Sequence, residues 1–121
     1  MSLPILVVDD SPMARKMLIK ALPAGWDVEI SEAANGAEAL AAYRAGKAAV
    51  MFLDLTMPTM DGYQVLEAMR SEDPNSLVIV VSADIQPLAQ ERVKSLGAIA
   101  FVKKPVKTET LQSVLHEYGI L

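Results

Sequence analysis

Short apolar runs alternate with helix-like stretches along the whole chain. Five runs rich in β-branched residues predict strands at 5–8, 28–31, 50–53, 77–81 and 99–102. Apolar residues at helical spacing predict helices at about 12–22, 37–45, 63–71, 88–96 and 108–118. In the first helix the predicted apolar stripe is Met13, Met17, Leu18 and Ala21 or Leu22. Strict strand-helix alternation predicts an α/β fold, a three-layer sandwich with a parallel sheet between two layers of helices.

The polarity of the strands predicts their order. The runs 5–8, 50–53 and 77–81 are continuously apolar, which is typical of strands covered on both faces. The segment 27–32 instead alternates polar and apolar residues, which suits a half-exposed edge strand. Placing this second strand outside leaves the other four as neighbours, so the predicted order is 2-1-3-4-5.

Length and composition limit the classes of protein to which this chain can belong. The 121 residues, 52% of them apolar, suffice for one core, so we interpret 1–121 as a single domain without an output domain. The formal charge of −4 and the absence of a basic block argue against direct binding of nucleic acid. The apolar runs are too short for a membrane span, and no signal peptide precedes the first strand, so we expect a cytoplasmic location. Zero cysteines exclude disulfides and thiolate metal sites.

Five polar residues stand at or just past the ends of apolar runs: Asp9, Asp10, Asp54, Ser82 and Lys104. In an open parallel sheet, side chains beyond the carboxyl ends of the strands converge in one crevice. We therefore expect three carboxylates, one hydroxyl and one amine to share a small volume. Such a cluster suits a divalent cation together with a group that carries negative oxygens.

The chemistry of this cluster favours magnesium and phosphoryl transfer. Two carboxylates about 4 Å apart repel by roughly 4 kcal/mol at an effective dielectric of 20, and a bound cation removes that cost. Oxygen ligands alone favour a hard ion, Mg²⁺ over Ca²⁺, with Mn²⁺ as a substitute. Asp54 is the candidate nucleophile toward phosphorus, and Asp9, Asp10 and Asp54 are the candidate carboxylate ligands of the metal. Lys104 would neutralise phosphoryl oxygens and Ser82 would donate a hydrogen bond to one of them.

Over nearly its whole length the sequence resembles the receiver domain of bacterial two-component response regulators. Five motifs carry the resemblance in order and spacing: Asp9-Asp10-Ser11, Asp54 to Pro58, Asp61-Gly62, Ser82-Ala83, and Lys103-Lys104-Pro105. The resemblance implies a flavodoxin-like, doubly wound (βα)5 fold. It also implies a phosphoacceptor switch, not an enzyme, in which Asp54 accepts phosphate from the phosphohistidine of a sensor kinase or phosphotransfer protein.

Further expectations follow from the resemblance. The backbone carbonyl of Thr56 would join the metal shell, and the Lys104–Pro105 peptide bond would be cis. Ser82 and an aromatic residue on strand five, here Phe101, would move in the switch, and Phe101 would favour a buried rotamer because it has no hydroxyl. A downstream partner would bind helix four, strand five and helix five of a monomer or a phosphorylation-dependent dimer. Candidate contact residues there are Gln86, Gln90, Lys94, Phe101 and Lys103.

Other interpretations stay open for single residues and for the whole chain. Helix capping could explain Asp10 or Ser11, and Asp61 is interpreted as a structural turn or cap residue. His116 is expected at the surface, away from the cluster. A flavodoxin-like cofactor binder is one alternative, although acidic residues after strand one would repel its phosphate. An aspartyl-nucleophile phosphatase is another, although Thr56 cannot provide its second acid.

Overall fold

The computed structural model describes residues 2–57, 60–72, 76–83 and 86–121. Its strands are β1 Leu3–Val8, β2 Val28–Ala33, β3 Val50–Asp54, β4 Leu77–Ser82 and β5 Ala100–Lys103. Its helices are α1 Pro12–Ala21, α2 Gly36–Arg44, α3 Gly62–Ser71, α4 Pro87–Ser95 and α5 Thr108–Glu117. Every predicted element is present, with its ends within two residues of the predicted ones.

The five strands form one parallel sheet in the order β2-β1-β3-β4-β5, as predicted. The register aligns the carboxyl ends of the four strands that carry the polar cluster. Val8 pairs with Leu53, and Ser82 pairs with Lys103. The residue that follows Val8 and the residue that follows Leu53 are therefore brought to the same edge of the sheet.

Two hydrophobic cores cover the two faces of this sheet. One core packs α2, α3 and α4 against one face, through residues such as Leu40, Leu66 and Val93. The other packs α1 and α5 against the opposite face, where Phe52 is buried. Because side chains alternate along a strand, Asp54 extends from β3 on the same side as Phe52. The predicted three-layer architecture is confirmed. Within the described segments, no helix combines the length and apolarity that crossing a bilayer requires.

The predicted apolar stripe of α1 is partly wrong. Leu18 and Ala21 are buried as expected, but Met13 and Met17 are 67% and 55% exposed. The stripe that faces the sheet runs through Ala14, Leu18 and Ala21, at the spacing of one helix face. Each methionine lies one residue before a position of this stripe, at its margin, and is therefore largely exposed to solvent. Because alanine gives only a weak apolar signal, the sequence does not show that Ala14 belongs to the stripe that faces the sheet.

Candidate functional site

The predicted cluster forms at the carboxyl edge of the sheet. Asp9 directly follows β1, Asp54 is the last residue of β3, and Ser82 is the last residue of β4. These three residues are buried, with exposed fractions of 6%, 5% and 2%. Lys104 directly follows β5 and is partly buried, whereas Asp10 is exposed. The structure therefore brings residues from four strand ends into one crevice.

The Lys104 ammonium group bridges two of the carboxylates. Its Nζ donates to Asp9 Oδ2 at 2.8 Å and to Asp54 Oδ1 at 3.3 Å. The backbone of the same lysine is anchored to the neighbouring strand, because its N–H donates to the carbonyl oxygen of Ser82 at 2.9 Å. The Lys104–Pro105 peptide bond is cis, as expected. One positive charge thus lies between two buried acids that are far apart in sequence.

Arg15 fixes the loop that carries Asp9, a contact that the sequence interpretation missed. Its Nη1 donates to the backbone carbonyl of Asp9 at 2.7 Å, and its Nε donates to Glu32 Oε1 at 2.9 Å. The backbone N–H of Ser11 donates to Asp9 Oδ1 at 2.9 Å. Asp9 is therefore held through its carbonyl and through both carboxylate oxygens. An arginine in the first turns of a helix gives little sequence signal for such a role.

The surroundings raise the pKa of both Asp54 and Lys104, for different reasons. Burial, and then the charge of Asp9, raises the pKa of Asp54, although Lys104 and a hydrogen bond from the Thr56 backbone oppose the rise. Burial lowers the pKa of Lys104, but the hydrogen bond to Asp9 and the charge of Asp54 outweigh it, so the net change is upward. The lysine therefore stays protonated, while Asp54 has an increased tendency to take up a proton.

The acidic residues are close enough to share one metal ion. Asp9, Asp10 and Asp54 each offer a carboxylate oxygen, and these atoms all lie within 4.8 Å of one another. A donor set made only of oxygens fits a hard cation such as Mg²⁺, which keeps several water ligands. Thr56 is exposed beside this group. The role predicted for its carbonyl as a metal ligand remains a prediction.

Neighbouring polar residues of the motifs have structural roles. Ser11 caps α1, because its side chain accepts a hydrogen bond from the backbone N–H of Ala14 at 3.2 Å. Asp61 caps α3 in a reciprocal capping box with Gln64, as its structural interpretation predicted. Helix capping therefore accounts for Ser11 and Asp61. Asp10 instead belongs to the group of three carboxylates with Asp9 and Asp54. Pro58, a member of the second motif, lies outside the described residues.

Gly62 allows α3 to begin directly against the end of β3. A Cβ atom at this position would lie 2.5 Å from the backbone oxygen of Asp54 and 2.8 Å from the Cα of Leu55. The backbone N–H of Gly62 also donates to the carbonyl oxygen of Leu55 at 3.1 Å. The glycine thus helps to fix the backbone that carries Asp54.

The predicted peripheral residues lie outside the cluster. His116 is exposed on α5, as expected. Phe101 is partly buried and packs against the core on the side of α2, α3 and α4. Its preferred rotamer and its part in a switch stay predictions.

Comparisons with known proteins agree with this geometry. The family described as response regulator receiver domain matches residues 5–116. The chain belongs to the response regulator receiver family. This membership favours a receiver over the flavin-binding and phosphatase alternatives.

Individual relatives cover the receiver domain almost from end to end. The chemotaxis protein CheY of Thermotoga maritima is 35% identical over 115 residues, which span 93% of this chain and 94% of that protein. The solved receiver domain of the response regulator NarL from Mycobacterium tuberculosis has a TM-score of 0.86 at 33% identity, over 98% and 97% of the two chains. A CheX–CheY–BeF3–Mg²⁺ complex from Borrelia burgdorferi has a TM-score of 0.87 at 28% identity, over 98% and 90%. The chain spans only 30% and 51% of two other curated relatives.

Proposed function

We propose that this receiver domain accepts a phosphoryl group on Asp54 in a Mg²⁺-dependent reaction. The observation that carries the proposal is the position of Lys104 Nζ, which bridges Asp9 and Asp54 inside a group of three carboxylates. An acceptor oxygen, a metal-binding set and a fixed positive charge are the components that phosphoryl transfer requires. The donor is the phosphohistidine of a sensor histidine kinase or a phosphotransfer protein.

Each residue has a defined part in the proposed reaction. An Asp54 carboxylate oxygen attacks phosphorus, the bond from phosphorus to the imidazole nitrogen breaks, and the nitrogen keeps the electron pair. Lys104 binds a phosphoryl oxygen, and the Ser82 hydroxyl donates to another. Asp9 and Asp10, with the Thr56 carbonyl, would hold the Mg²⁺. When bound, that ion neutralises negative charge on the phosphoryl oxygens and on the carboxylates. The Borrelia CheY complex contains BeF3 with Mg²⁺, a combination suited to the same residues.

Phosphorylation is proposed to act on a downstream partner through the face of α4, β5 and α5. Ser82 and Phe101 would change position, and the change would reach exposed residues of this face. Gln86, Lys94 and Lys103 are exposed there, and Gln90 and Phe101 are partly buried. Leu88 adds a largely exposed apolar side chain on α4 that the sequence interpretation did not include. We propose a switch that regulates a partner and does not turn over other substrates.

Incubation with acetyl phosphate tests this proposal without knowledge of the kinase. With Mg²⁺, intact-mass spectrometry should detect one added phosphoryl group, and chelation of the metal should prevent it. Asp54→Asn should abolish the addition. Asp61→Asn is the matched control, because asparagine caps a helix as well as aspartate does and Asp61 lies outside the acidic group. Undiminished phosphorylation of Asp54→Asn, or none in the wild type, would contradict the proposal.

A further inference from the structure

The edge strand β2 supplies no residue of the polar cluster, yet its carboxyl end holds the backbone of Asp9 in two ways. The backbone N–H of Asp9 donates to the carbonyl oxygen of Ala33 at 3.1 Å. The carbonyl oxygen of Asp9 accepts from Arg15 Nη1 at 2.7 Å, and Nε of the same arginine donates to Glu32 Oε1 at 2.9 Å. Both backbone polar groups of Asp9 are therefore tied to β2, one directly and one through Arg15.

The fold places Glu32 where its carboxylate can reach α1. Glu32 is paired with Val7 in the parallel register of β1 and β2. Paired residues extend to the same face of a sheet, and Val7 belongs to the core that α1 and α5 cover. The side chain of Arg15 is only 15% exposed, whereas that of Glu32 is 49% exposed. The guanidinium group is thus enclosed, and a carboxylate and a carbonyl oxygen fix its orientation.

The carbonyl that Arg15 holds belongs to the turn that carries two of the three clustered acids. Asp9 and Asp10 both lie in the turn between β1 and α1, and each offers an oxygen within 4.8 Å of the others and of Asp54. An aspartate has only two side-chain torsions, so its carboxylate follows its backbone closely. Groups that orient metal ligands from outside the ligand set commonly control metal affinity. Release of the Asp9 carbonyl would therefore disturb the spacing of the ligand oxygens.

We propose that Arg15 and Glu32 are positioning residues for the cation site. Glu32 orients Arg15, and Arg15 holds the turn so that Asp9 and Asp10 keep the spacing that a small divalent cation requires. The inference rests on the proposed function, because it concerns the same cation. Neither Arg15 nor Glu32 belongs to the group of three carboxylates that offer ligand oxygens. The edge strand thus contributes to the site without supplying a ligand.

Charge and position predict opposite effects for Arg15, which makes the inference testable. Arg15 carries a positive charge close to the acidic group, so its removal should tighten Mg²⁺ binding if charge alone matters. If its contact with Asp9 matters more, its removal should weaken binding. Glu32 offers a second separation of the two effects. Glu32→Gln removes the negative charge but keeps an oxygen that accepts from Arg15 Nε, whereas Glu32→Ala removes both.

Calorimetric titration with Mg²⁺ measures the affinity of each variant. We expect Arg15→Met to weaken binding about fivefold, less than the roughly 10–100-fold typical of direct partners of a ligand, because it acts on the ligand's backbone. Glu32→Ala should weaken binding about threefold, and Glu32→Gln should stay within about twofold of the wild type. The variant with both Arg15→Met and Glu32→Ala should bind no more weakly than Arg15→Met, because Glu32 acts through Arg15.

The pair of Arg44 and Glu72 provides a matched control. Arg44 Nε donates to Glu72 Oε1 at 2.9 Å, so the donor, the acceptor and the distance are those of the first pair. Both control residues lie beside Ala49, which directly precedes β3, and therefore at the amino edge of the sheet, opposite the cluster. Arg44→Met and Glu72→Ala should leave the Mg²⁺ affinity unchanged.

The outcomes separate this inference from the proposed function. Unchanged or tighter Mg²⁺ binding by Arg15→Met would overturn the inference, as would equal affinities of Glu32→Gln and Glu32→Ala or an equal loss in Arg44→Met. If Arg15→Met fails to fold, the Glu32 variants decide, because that side chain is half exposed and its replacement disturbs little packing. None of these results alters phosphorylation of the wild type on Asp54. A wild type that binds no Mg²⁺ would overturn the proposed function and the inference together.

Discussion

Replacing Asp10 by asparagine should make the metal-free domain more stable. The candidate ligand oxygens of Asp9, Asp10 and Asp54 lie within 4.8 Å of one another. At that distance two like charges repel by about 0.9 kcal/mol in water and about 3.5 kcal/mol at an effective dielectric of 20. Asp10 is exposed, so its two repulsions lie near the lower value, and Lys104 offsets part of them. We expect a net gain of about 1 kcal/mol from the Asp10→Asn variant.

Magnesium should cancel this advantage. A ligand at a hundred times its Kd stabilises the native state by about 2.7 kcal/mol. If the loss of one carboxylate weakens Mg²⁺ binding about tenfold, the same concentration stabilises the variant by only about 1.4 kcal/mol. The difference of about 1.3 kcal/mol offsets the gain in the metal-free state. The asparagine variant should therefore be more stable than the wild type without Mg²⁺ and no more stable with it.

Thermal unfolding followed by circular dichroism, in a chelator and in Mg²⁺, measures both effects. For a domain of this size, 1 kcal/mol corresponds to a shift in Tm of about 4 °C. Asp61→Asn serves as the control for removal of a carboxylate, because it caps α3 and lies outside the acidic group. A metal-free Tm below that of the wild type, or equal stabilisation of wild type and Asp10→Asn by Mg²⁺, would refute the charge-crowding argument.

Three further predictions concern stability and binding. The folded state raises the pKa of Asp54, so it binds the proton of this carboxyl group more tightly than the unfolded state does. The resulting stabilisation is present at acidic pH and is lost as the pH rises through the range in which Asp54 ionises. Urea unfolding of the metal-free protein should show a loss of stability with rising pH that Asp54→Asn reduces; an unchanged pH profile would contradict this. Gly62→Ala should cost about 1–3 kcal/mol in urea unfolding, because its Cβ would overlap the backbone of Asp54 and Leu55. Arg15→Ala should weaken Mg²⁺ affinity severalfold in calorimetry by releasing the Asp9 carbonyl, and unaltered affinity would show that this contact does not position the loop.

Strand-end residues were predictable because chain topology alone places them. Once the alternation of strands and helices sets the order 2-1-3-4-5, the positions of Asp54 and Lys104 at the carboxyl edge follow from where the apolar runs end. Their contact needs no knowledge of side-chain packing. The burial of the runs on both faces also makes these strands easy to recognise.

Features that depend on the sizes of distant side chains were not predictable. The phase of α1 was assigned from its methionines, because Ala14 gives a weak apolar signal although it faces inward. The bond from Arg15 to the carbonyl of Asp9 likewise depends on the path of a backbone loop. No local pattern encodes such combinations.

Chemical mapping of the phosphoryl group tests the central claim most directly. Borohydride reduces an aspartyl phosphate to homoserine, so the protein should be treated with acetyl phosphate and Mg²⁺, reduced, digested and sequenced by mass spectrometry. The account predicts homoserine at position 54 alone, and none when Mg²⁺ is chelated. Homoserine at another aspartate, or labelling of Asp54 that is indifferent to Mg²⁺, would contradict it.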